Sequence, residues 1–167
     1  MTNEEKQTNI LFVCTGNTCR SPMAEVIAKE KAEQLDKPLI FQSAGVATID
    51  GLSISKNALE ALKVKGYDVS NLNHSSQVVT EQLLNWADIV LTMTSNHRSQ
   101  IINFYPNLEN KIYNFPVYIY NNYNSLSDDC NVNNYGDIID PFGGSLETYL
   151  SCADQLELLI DELLMSC

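Results

Sequence analysis

The stretch that decides the fold spans residues 9–22 and reads NILFVCTGNTCRSP. After Asn9 it is apolar as far as Cys14, with β-branched and aromatic side chains, and this pattern predicts a buried strand. Ser21 and Pro22 are typical of a helix start, because serine favours the N-cap and proline the first helical turn. A buried strand that runs through a short turn into a helix is typical of an α/β fold.

The rest of the chain repeats this alternation. Apolar runs predict further strands at residues 39–43, 88–93 and 111–115. Apolar spacing and end signals predict helices at residues 22–35, 55–65, 80–86, 96–104 and 146–164. Strands that alternate with helices indicate a mainly parallel central sheet.

The last helix has the clearest pattern in the chain. Nine of its apolar residues fall on one stripe with a period of 3.6 residues, which predicts a helix docked on the sheet. They are Leu146, Tyr149, Leu150, Ala153, Leu156, Leu159, Ile160, Leu163 and Leu164. Trp86 is also predicted to lie in the core. Residues 118–135 are rich in Asn, Tyr and Ser instead, and they predict a long polar surface loop, which can include a short turn of helix.

Length and charge limit the possible functions. The chain has 167 residues of ordinary globular composition, which predicts a single domain over residues 1–167 with a flexible start at 1–8. Its 10 basic and 21 acidic residues give a net charge of −11. Because this excess repels nucleic acid and anionic membranes, we expect neither as a partner. No stretch is long and apolar enough to span a membrane, and the polar start is unlike a signal peptide, so we expect a cytoplasmic protein.

The five cysteines are odd in number and irregularly spaced, so they predict neither a disulfide framework nor a zinc site. One of them can therefore be a reactive thiol. Asp128, Asp129, Asn131 and Asn133 superficially suggest a calcium loop, but the glycine and the terminal glutamate of that motif are not at the required spacing. We expect no metal and no cofactor.

The turn after the first strand carries the chemistry. Five residues separate Cys14 from Arg20, and a loop this short, wound into a helix start, directs several backbone N–H groups at one centre. The same field favours the thiolate of Cys14. Arg20 can give two parallel hydrogen bonds to a phosphoryl group. Gly16 and Asn17 tolerate the left-handed backbone that such a loop needs.

These features predict phosphoryl transfer to cysteine. The thiolate attacks phosphorus, while the backbone amides and the arginine stabilise the phosphoryl oxygens as charge develops on them. The loop itself lacks an acid for the leaving group, which another part of the chain must supply.

Residues 13–25 read VCTGNTCRSPMAE and resemble the phosphate-binding loop of the low-molecular-weight protein tyrosine phosphatases. DPFG at 140–143 resembles the late Asp-Pro element of that family, which carries its general acid. SAG at 43–45 and DIVLTM at 88–93 resemble the family as well, and the resemblance extends over residues 10–164. It implies a flavodoxin-like single domain, with a central four-stranded parallel sheet and helices on both faces. It also implies a phosphocysteine intermediate and no metal.

By position, the resemblance makes Cys14 the nucleophile and Arg20 the group that stabilises the transition state. Asp140 would protonate the leaving group and then activate water for hydrolysis of the phosphocysteine.

Other loop residues would bind phosphate or support the site: Thr15, Gly16, Asn17, Thr18, Cys19 and Ser21. Ser21 would donate a hydrogen bond to the thiolate, and Asn17 would support the strained backbone of the loop. Cys19 is either a reversible redox partner of Cys14 or a packed thiol.

Thr18 bears on the substrate. Tyrosine-specific members of the family typically carry an aliphatic residue here, which packs on a phenyl ring, whereas a threonine resembles the protein arginine phosphatase branch. Phe142, where tyrosine-directed members often have tyrosine, favours the same branch. The resemblance therefore implies hydrolysis of phosphoarginine in protein substrates, by a monomer or weak dimer. The alternative is a protein tyrosine phosphatase of the same fold and mechanism.

A redox enzyme is the more distant alternative, because arsenate reductases share the fold and the Cys-x5-Arg loop. They need two further cysteines close together late in the chain, and Cys130 and Cys152 are too far apart for that role. We assign these two and Cys167 no chemistry. His74 and His97 are isolated in the sequence, and we expect no catalytic role for either.

Overall fold

The computed structural model describes residues 4–122 and 136–167. Its centre is a sheet of four parallel strands: Thr8–Cys14 (β1), Leu39–Gly45 (β2), Ile89–Thr92 (β3) and Ile112–Asn114 (β4). The strand order is β2-β1-β3-β4, as in a flavodoxin-like sheet. The predicted α/β fold with a four-stranded parallel sheet is confirmed.

Six α-helices are present in the described residues: Arg20–Gln34 (α1), Lys56–Val64 (α2), Glu81–Trp86 (α3), Ser95–Phe104 (α4), Phe115–Asn122 (α5) and Leu146–Met165 (α6). A 3₁₀ helix covers Pro106–Lys111. Side-chain oxygens cap three of these helices, from Ser55, Thr80 and Thr94 at the starts of α2, α3 and α4.

Helices cover both faces of the sheet, as predicted. Successive residues of a strand point to opposite faces. Phe12 contacts Phe41 and Phe115 on one face, with ring centroids 5.8 and 5.5 Å away, in the cluster that includes α1, α2 and α6. Leu11 and Val13 pack on the other face with residues of α3 and α4. Each of these buried β1 side chains stabilises the fold by about 2 kcal/mol.

The predicted stripe of α6 is confirmed. Seven of its nine residues are buried, and Leu146 and Leu150 pack against the same cluster from its edge. The helix packs mainly against α1 and α2. It therefore closes the layer that covers Phe12 and lies on its neighbouring helices more than on the sheet itself.

The start of α1 differs from the prediction. The helix begins at Arg20, with Cys19 at the N-cap, so Ser21 lies inside the first turn and is not its cap. Pro22 is tolerated there because the first turn needs no N–H donor within the helix. The serine hydroxyl is consequently free to point toward the strand end.

The region after β4 also differs. Residues 118–122, predicted as the start of a polar loop, belong to α5. Phe115 and Ile119 lie four residues apart and bury one face of this helix, and Pro116 is accepted in its first turn. The remainder of the predicted loop, residues 123–135, lies outside the described residues, as do residues 1–3.

Two smaller predictions were inaccurate. Trp86 is half-buried at the edge of the second cluster, rather than within it. Thr8 belongs to β1, so the predicted terminal segment 1–8 is one residue too long. Across 4–122 and 136–167, the helices are all too short or too polar to cross a membrane.

Candidate active site

The loop between β1 and α1 lies at the carboxyl edge of the sheet, where the strand order reverses and α/β folds place their ligands. Cys14 is the last residue of β1, and Arg20 is the first residue of α1. Cys19 at the N-cap makes no side-chain hydrogen bond to the helix. The first-turn N–H groups of this 15-residue helix therefore have no side-chain cap and are available to an anion.

The thiol of Cys14 faces hydrogen-bond donors. Its side chain is buried, with only 2% of the residue exposed. The backbone N–H of Asn17 donates to its Sγ at 3.3 Å, and the Ser21 Oγ lies 2.9 Å away. Two groups that can donate a hydrogen bond therefore face one sulfur.

The direction of the Ser21 hydrogen bond follows from its other partner. The amide Nδ2 of Asn17 can only donate, and it donates to the Ser21 Oγ at 2.8 Å. A lone pair of Ser21 therefore faces Asn17, and its single hydroxyl proton has two acceptors within reach, the Cys14 Sγ at 2.9 Å and the Ala44 carbonyl oxygen at 3.4 Å. The sulfur is the nearer of the two. Ser21 is thus within hydrogen-bond distance of the Cys14 sulfur, as the sequence predicts.

Asn17 is the residue that holds the loop's unusual backbone. It is fully buried with a φ of 55°, in the left-handed region. Besides Ser21, its side chain donates to the Ser43 Oγ at 2.9 Å and accepts from the Gln77 N–H at 3.0 Å. These bonds offset the strain of the backbone. Gly16, which we also expected in this region, does not have a positive φ.

Gly45 allows β2 to approach the loop. A Cβ at this position would lie 2.5 Å from the carbonyl oxygen of Thr15 and 3.1 Å from the backbone nitrogen of Asn17. Both are backbone atoms, which cannot move aside as a flexible side chain can. The glycine is therefore required by this close packing and not by its φ angle.

Arg20 and Asp140 meet at the mouth of the site. The Nη2 of Arg20 lies 3.5 Å from the Oδ2 of Asp140, and its Nη1 donates to the Ile138 carbonyl at 3.1 Å. Arg20 is buried, whereas the Asp140 side chain is 53% exposed. Asp140 also accepts from the Phe142 N–H at 3.1 Å. The guanidinium is thus fixed, while the carboxyl group can reach a ligand.

These groups line one cavity of roughly 200 Å³. Its walls are Cys14, Thr15, Gly16, Thr18, Cys19, Arg20, Asp140 and Phe142. The ring of Phe142 is 78% exposed and forms the outer rim. The structure therefore brings the predicted nucleophile, cation and acid together around one opening, with Thr18 beside them.

Cys19 lies in the same cavity with polar neighbours. Its Sγ is 3.4 Å from both the Ser55 Oγ and the Tyr149 hydroxyl. Burial and the contact with this sulfur raise the pKa of Tyr149 to about 12. The redox pairing of Cys19 with Cys14 stays a prediction.

The remaining cysteines contribute no second reactive site in the described part of the chain. Burial raises the pKa of Cys152 to about 12, so it stays a thiol at neutral pH. Cys167 is exposed at the chain end, and Cys130 lies outside the described residues. Among the described residues, the cysteines that line the cavity are Cys14 and Cys19. Residues 4–122 and 136–167 contain no cluster of three or more metal-binding side chains.

Two histidines contact the loop, and sequence reasoning missed both. The Nε2 of His74 lies 2.7 Å from the carbonyl oxygen of Asn17, and the Nε2 of His97 lies 2.7 Å from the Thr15 hydroxyl. They are 57 and 82 residues from their partners in the sequence. No local pattern could indicate these contacts, because only the folded sheet brings the segments together.

The comparisons agree with this geometry. The chain matches the model for low molecular weight phosphotyrosine protein phosphatases over residues 9–167. It is 40% identical to a protein-arginine-phosphatase of Geobacillus stearothermophilus, over 92% of each chain. It is 38% identical to the low molecular weight protein-tyrosine-phosphatase PtpB of Staphylococcus haemolyticus, over 92% of this chain and 96% of that protein.

Solved structures show the same likeness. A cysteine-to-serine mutant of the arginine phosphatase YwlE, with a phosphorylated active-site serine, superposes with a TM-score of 0.83. The identity is 35%, and 95% of each chain is covered. The chain therefore belongs to the low molecular weight phosphotyrosine protein phosphatase family. Its members named above include phosphatases for arginine and for tyrosine, so the family alone leaves the leaving group open.

Proposed function

We propose that this protein removes phosphate from phosphoarginine in proteins through a phosphocysteine intermediate at Cys14. The observation that carries the proposal is the arrangement of this thiol within the loop. It accepts hydrogen bonds inside an anion-binding turn, with Arg20 and Asp140 beside the same opening. A nucleophile, a cation for the phosphoryl oxygens and an acid are the groups that phosphoryl transfer needs.

In the first step, the Cys14 thiolate attacks phosphorus and forms the S–P bond as the P–N bond of phosphoarginine breaks. Asp140, in its protonated form, gives its proton to the departing guanidine nitrogen. Arg20 and the loop amides stabilise the negative charge that spreads over the equatorial oxygens.

In the second step, water attacks the phosphocysteine and the S–P bond breaks. The carboxylate of Asp140, left unprotonated by the first step, takes the proton from that water. Inorganic phosphate leaves, and the Cys14 thiolate is restored with its hydrogen bond from Ser21. No metal or cofactor enters either step.

Thr18 supports arginine over tyrosine as the phosphorylated residue. It lines the cavity and presents a hydroxyl and one methyl group, less apolar surface than an aliphatic residue would offer to a phenyl ring. Sequence identity does not separate the two substrates, since relatives of both names are 38–40% identical to this chain. The net charge of −11 also suits a product that carries a guanidinium group.

We further propose that the partners of this protein are phosphorylated proteins. We also propose that it acts in the cytoplasm as a monomer or weak dimer. A reducing compartment supports the mechanism, because Cys14 must remain a free thiol to act. The acidic surface disfavours nucleic acid and anionic membranes as partners.

The mechanism is tested by replacing the nucleophile. Cys14→Ser should abolish turnover of a phosphoarginine peptide, and acid quenching of the unmodified protein during turnover should leave phosphate on the peptide that contains Cys14. Cys167→Ser is the matched control, since that thiol is exposed and does not line the cavity. Turnover retained by Cys14→Ser would contradict the proposal.

A further inference from the structure

His97 lies behind the active-site loop, at the start of α4. The Thr94 hydroxyl caps this helix by accepting from the His97 N–H at 3.0 Å, which fixes the residue in the first turn. Only 3% of His97 is exposed. Its Nε2 reaches the hydroxyl of Thr15 at 2.7 Å. The mechanism proposed above assigns this imidazole no part.

The hydrogen bonds around Thr15 run in one direction. The guanidinium of Arg20 has only donors, and its Nη2 lies 3.5 Å from the Thr15 Oγ1. The hydroxyl oxygen therefore accepts from Arg20. The hydroxyl has one proton and two lone pairs, so it can accept from Arg20 and donate its proton to the Nε2 of His97. In this arrangement His97 carries its own proton at Nδ1, which is buried and has no hydrogen-bond partner among the described residues.

The surroundings keep this imidazole neutral. Burial, followed by the nearby charge of Arg20, lowers the pKa of His97 to about 4, although Asp137 and Asp140 act in the opposite sense. At neutral pH the ring can therefore serve as an acceptor. A protonated ring would have no acceptor nitrogen, and it would place a second cation next to Arg20.

Arg20 is thereby held from two sides. Its Nη1 donates to the Ile138 carbonyl, and the Ile138 N–H in turn donates to the Met93 carbonyl at 2.8 Å, just after β3. Its Nη2 is held by Thr15, whose hydroxyl is oriented from α4. Both supports trace back to residues that follow β3, at the carboxyl edge of the sheet where the loop also lies.

We propose that His97 is a positioning residue that orients the Thr15 hydroxyl as an acceptor for Arg20, and so holds the guanidinium in place for the phosphoryl group. The inference rests on the proposed function, because it assigns Arg20 to the transition state. A guanidinium held in advance loses less entropy on reaching the transition state than one that must be ordered there. The imidazole itself touches neither substrate nor the reacting atoms.

The first measurement reads the tautomer directly. Imidazole ¹⁵N resonances of the unmodified protein at pH 7 should show His97 protonated at Nδ1 and unprotonated at Nε2. A ring protonated at Nε2 would donate to Thr15 and would overturn the inference. This readout needs no turnover, so it is independent of the proposed function.

The second measurement uses variants with a small aryl phosphate as substrate. His97→Phe keeps a ring but removes the acceptor, and we expect kcat to fall about three- to tenfold with a smaller change in KM, the range of one hydrogen bond. Inhibition by orthovanadate should weaken by a similar factor. His97→Gln should restore most of the loss, because its Oε1 can accept at the position of Nε2.

A double substitution separates positioning from general damage. Thr15→Val should cause a similar loss, and adding His97→Phe to it should cost less than about twofold more, since residues that act through one contact are not additive. Additive losses, or an unchanged kcat in His97→Phe, would overturn the inference. Absence of turnover in the unmodified protein would overturn the proposed function instead.

Discussion

The hydroxyl oxygen of Ser21 lies 2.9 Å from the sulfur of Cys14, and both side chains are buried. This pair joins the end of β1 to the first turn of α1. It explains why the serine belongs within the helix: as an N-cap it would have used its oxygen on the helix N–H groups. Within the helix, its proton can be donated to the sulfur, with the Ala44 carbonyl oxygen as a second, more distant acceptor at 3.4 Å.

Removing this hydroxyl should lower the reactivity of the nucleophile. We expect Ser21→Ala to reduce the rate of Cys14 alkylation by iodoacetamide at pH 7, and kcat/KM with it, by about tenfold, because a hydrogen bond to a charged group is lost. Ser43→Ala is the control, since it removes a contact of Asn17 without touching the sulfur. Equal alkylation rates in Ser21→Ala and the unmodified protein would contradict this role.

Asp140 should act on the leaving group. Asp140→Asn should lower kcat by about a hundredfold or more for substrates with poor leaving groups, and by much less for an activated aryl phosphate. Asp137→Asn is the matched control, since Asp137 accepts from the Ser95 N–H and Asn114 and serves the fold. A uniform loss across leaving groups would assign Asp140 to binding and not to proton transfer.

Gly45 should be needed for the shape of the loop. Gly45→Ala would place a Cβ 2.5 Å from the Thr15 carbonyl oxygen, so either β2 or the loop must shift. We expect binding of inorganic phosphate to weaken about tenfold or more, as a displacement near 1 Å moves several donors together. A Cβ at Gly136 meets open space, and Gly136→Ala should bind phosphate normally. Isothermal titration of both variants checks this.

The pKa of His97 gives the protein a pH-dependent stability. Its folded pKa of about 4 lies below the ordinary value of 6.5, so the unfolded chain binds more protons between these values. The stabilisation is complete above pH 6.5 and is lost as the pH falls toward 4, by about 3 kcal/mol at most. The buried carboxyl of Glu25, whose pKa burial raises above 4.5, acts in the opposite direction, since its contribution to stability is lost as the pH rises.

The contribution of His97 is therefore measured as a difference. The free energy of unfolding of the unmodified protein minus that of His97→Gln should be constant between pH 7 and 8. It should fall steadily from pH 6.5 to 4. A difference that stays flat across the acidic range would mean that the imidazole is protonated as readily in the folded state as in the unfolded one.

The sequence allows much of this fold to be predicted because its signals are local. The apolar run from Ile10 to Val13 is buried on both faces, as such runs are in parallel sheets. The periodic spacing of the apolar residues in α6 predicts which of its faces is buried. Cys14 and Arg20 could be assigned to one site because only five residues separate them and both flank the same turn.

Other features depend on contacts that no local pattern contains. His97 reaches Thr15 across 82 residues, and only the order of the strands places α4 behind the loop. The sequence indicated no more than a short turn in place of the helix at residues 115–122, because only Phe115, Pro116 and Ile119 are buried within a segment rich in Tyr and Asn. Where so few side chains are buried, composition predicts a loop, and tertiary packing decides that a helix forms.

The substrate is tested most directly by comparing kcat/KM for phosphoarginine and phosphotyrosine peptides of the same sequence. We expect the unmodified protein to prefer phosphoarginine, and we expect Thr18→Ile to reduce this preference by about tenfold or to reverse it, since a larger apolar wall favours a phenyl ring. Thr18→Ser, which keeps the hydroxyl, should retain the preference. A preference for phosphotyrosine in the unmodified protein would contradict the substrate assignment and leave the chemistry of Cys14 in place.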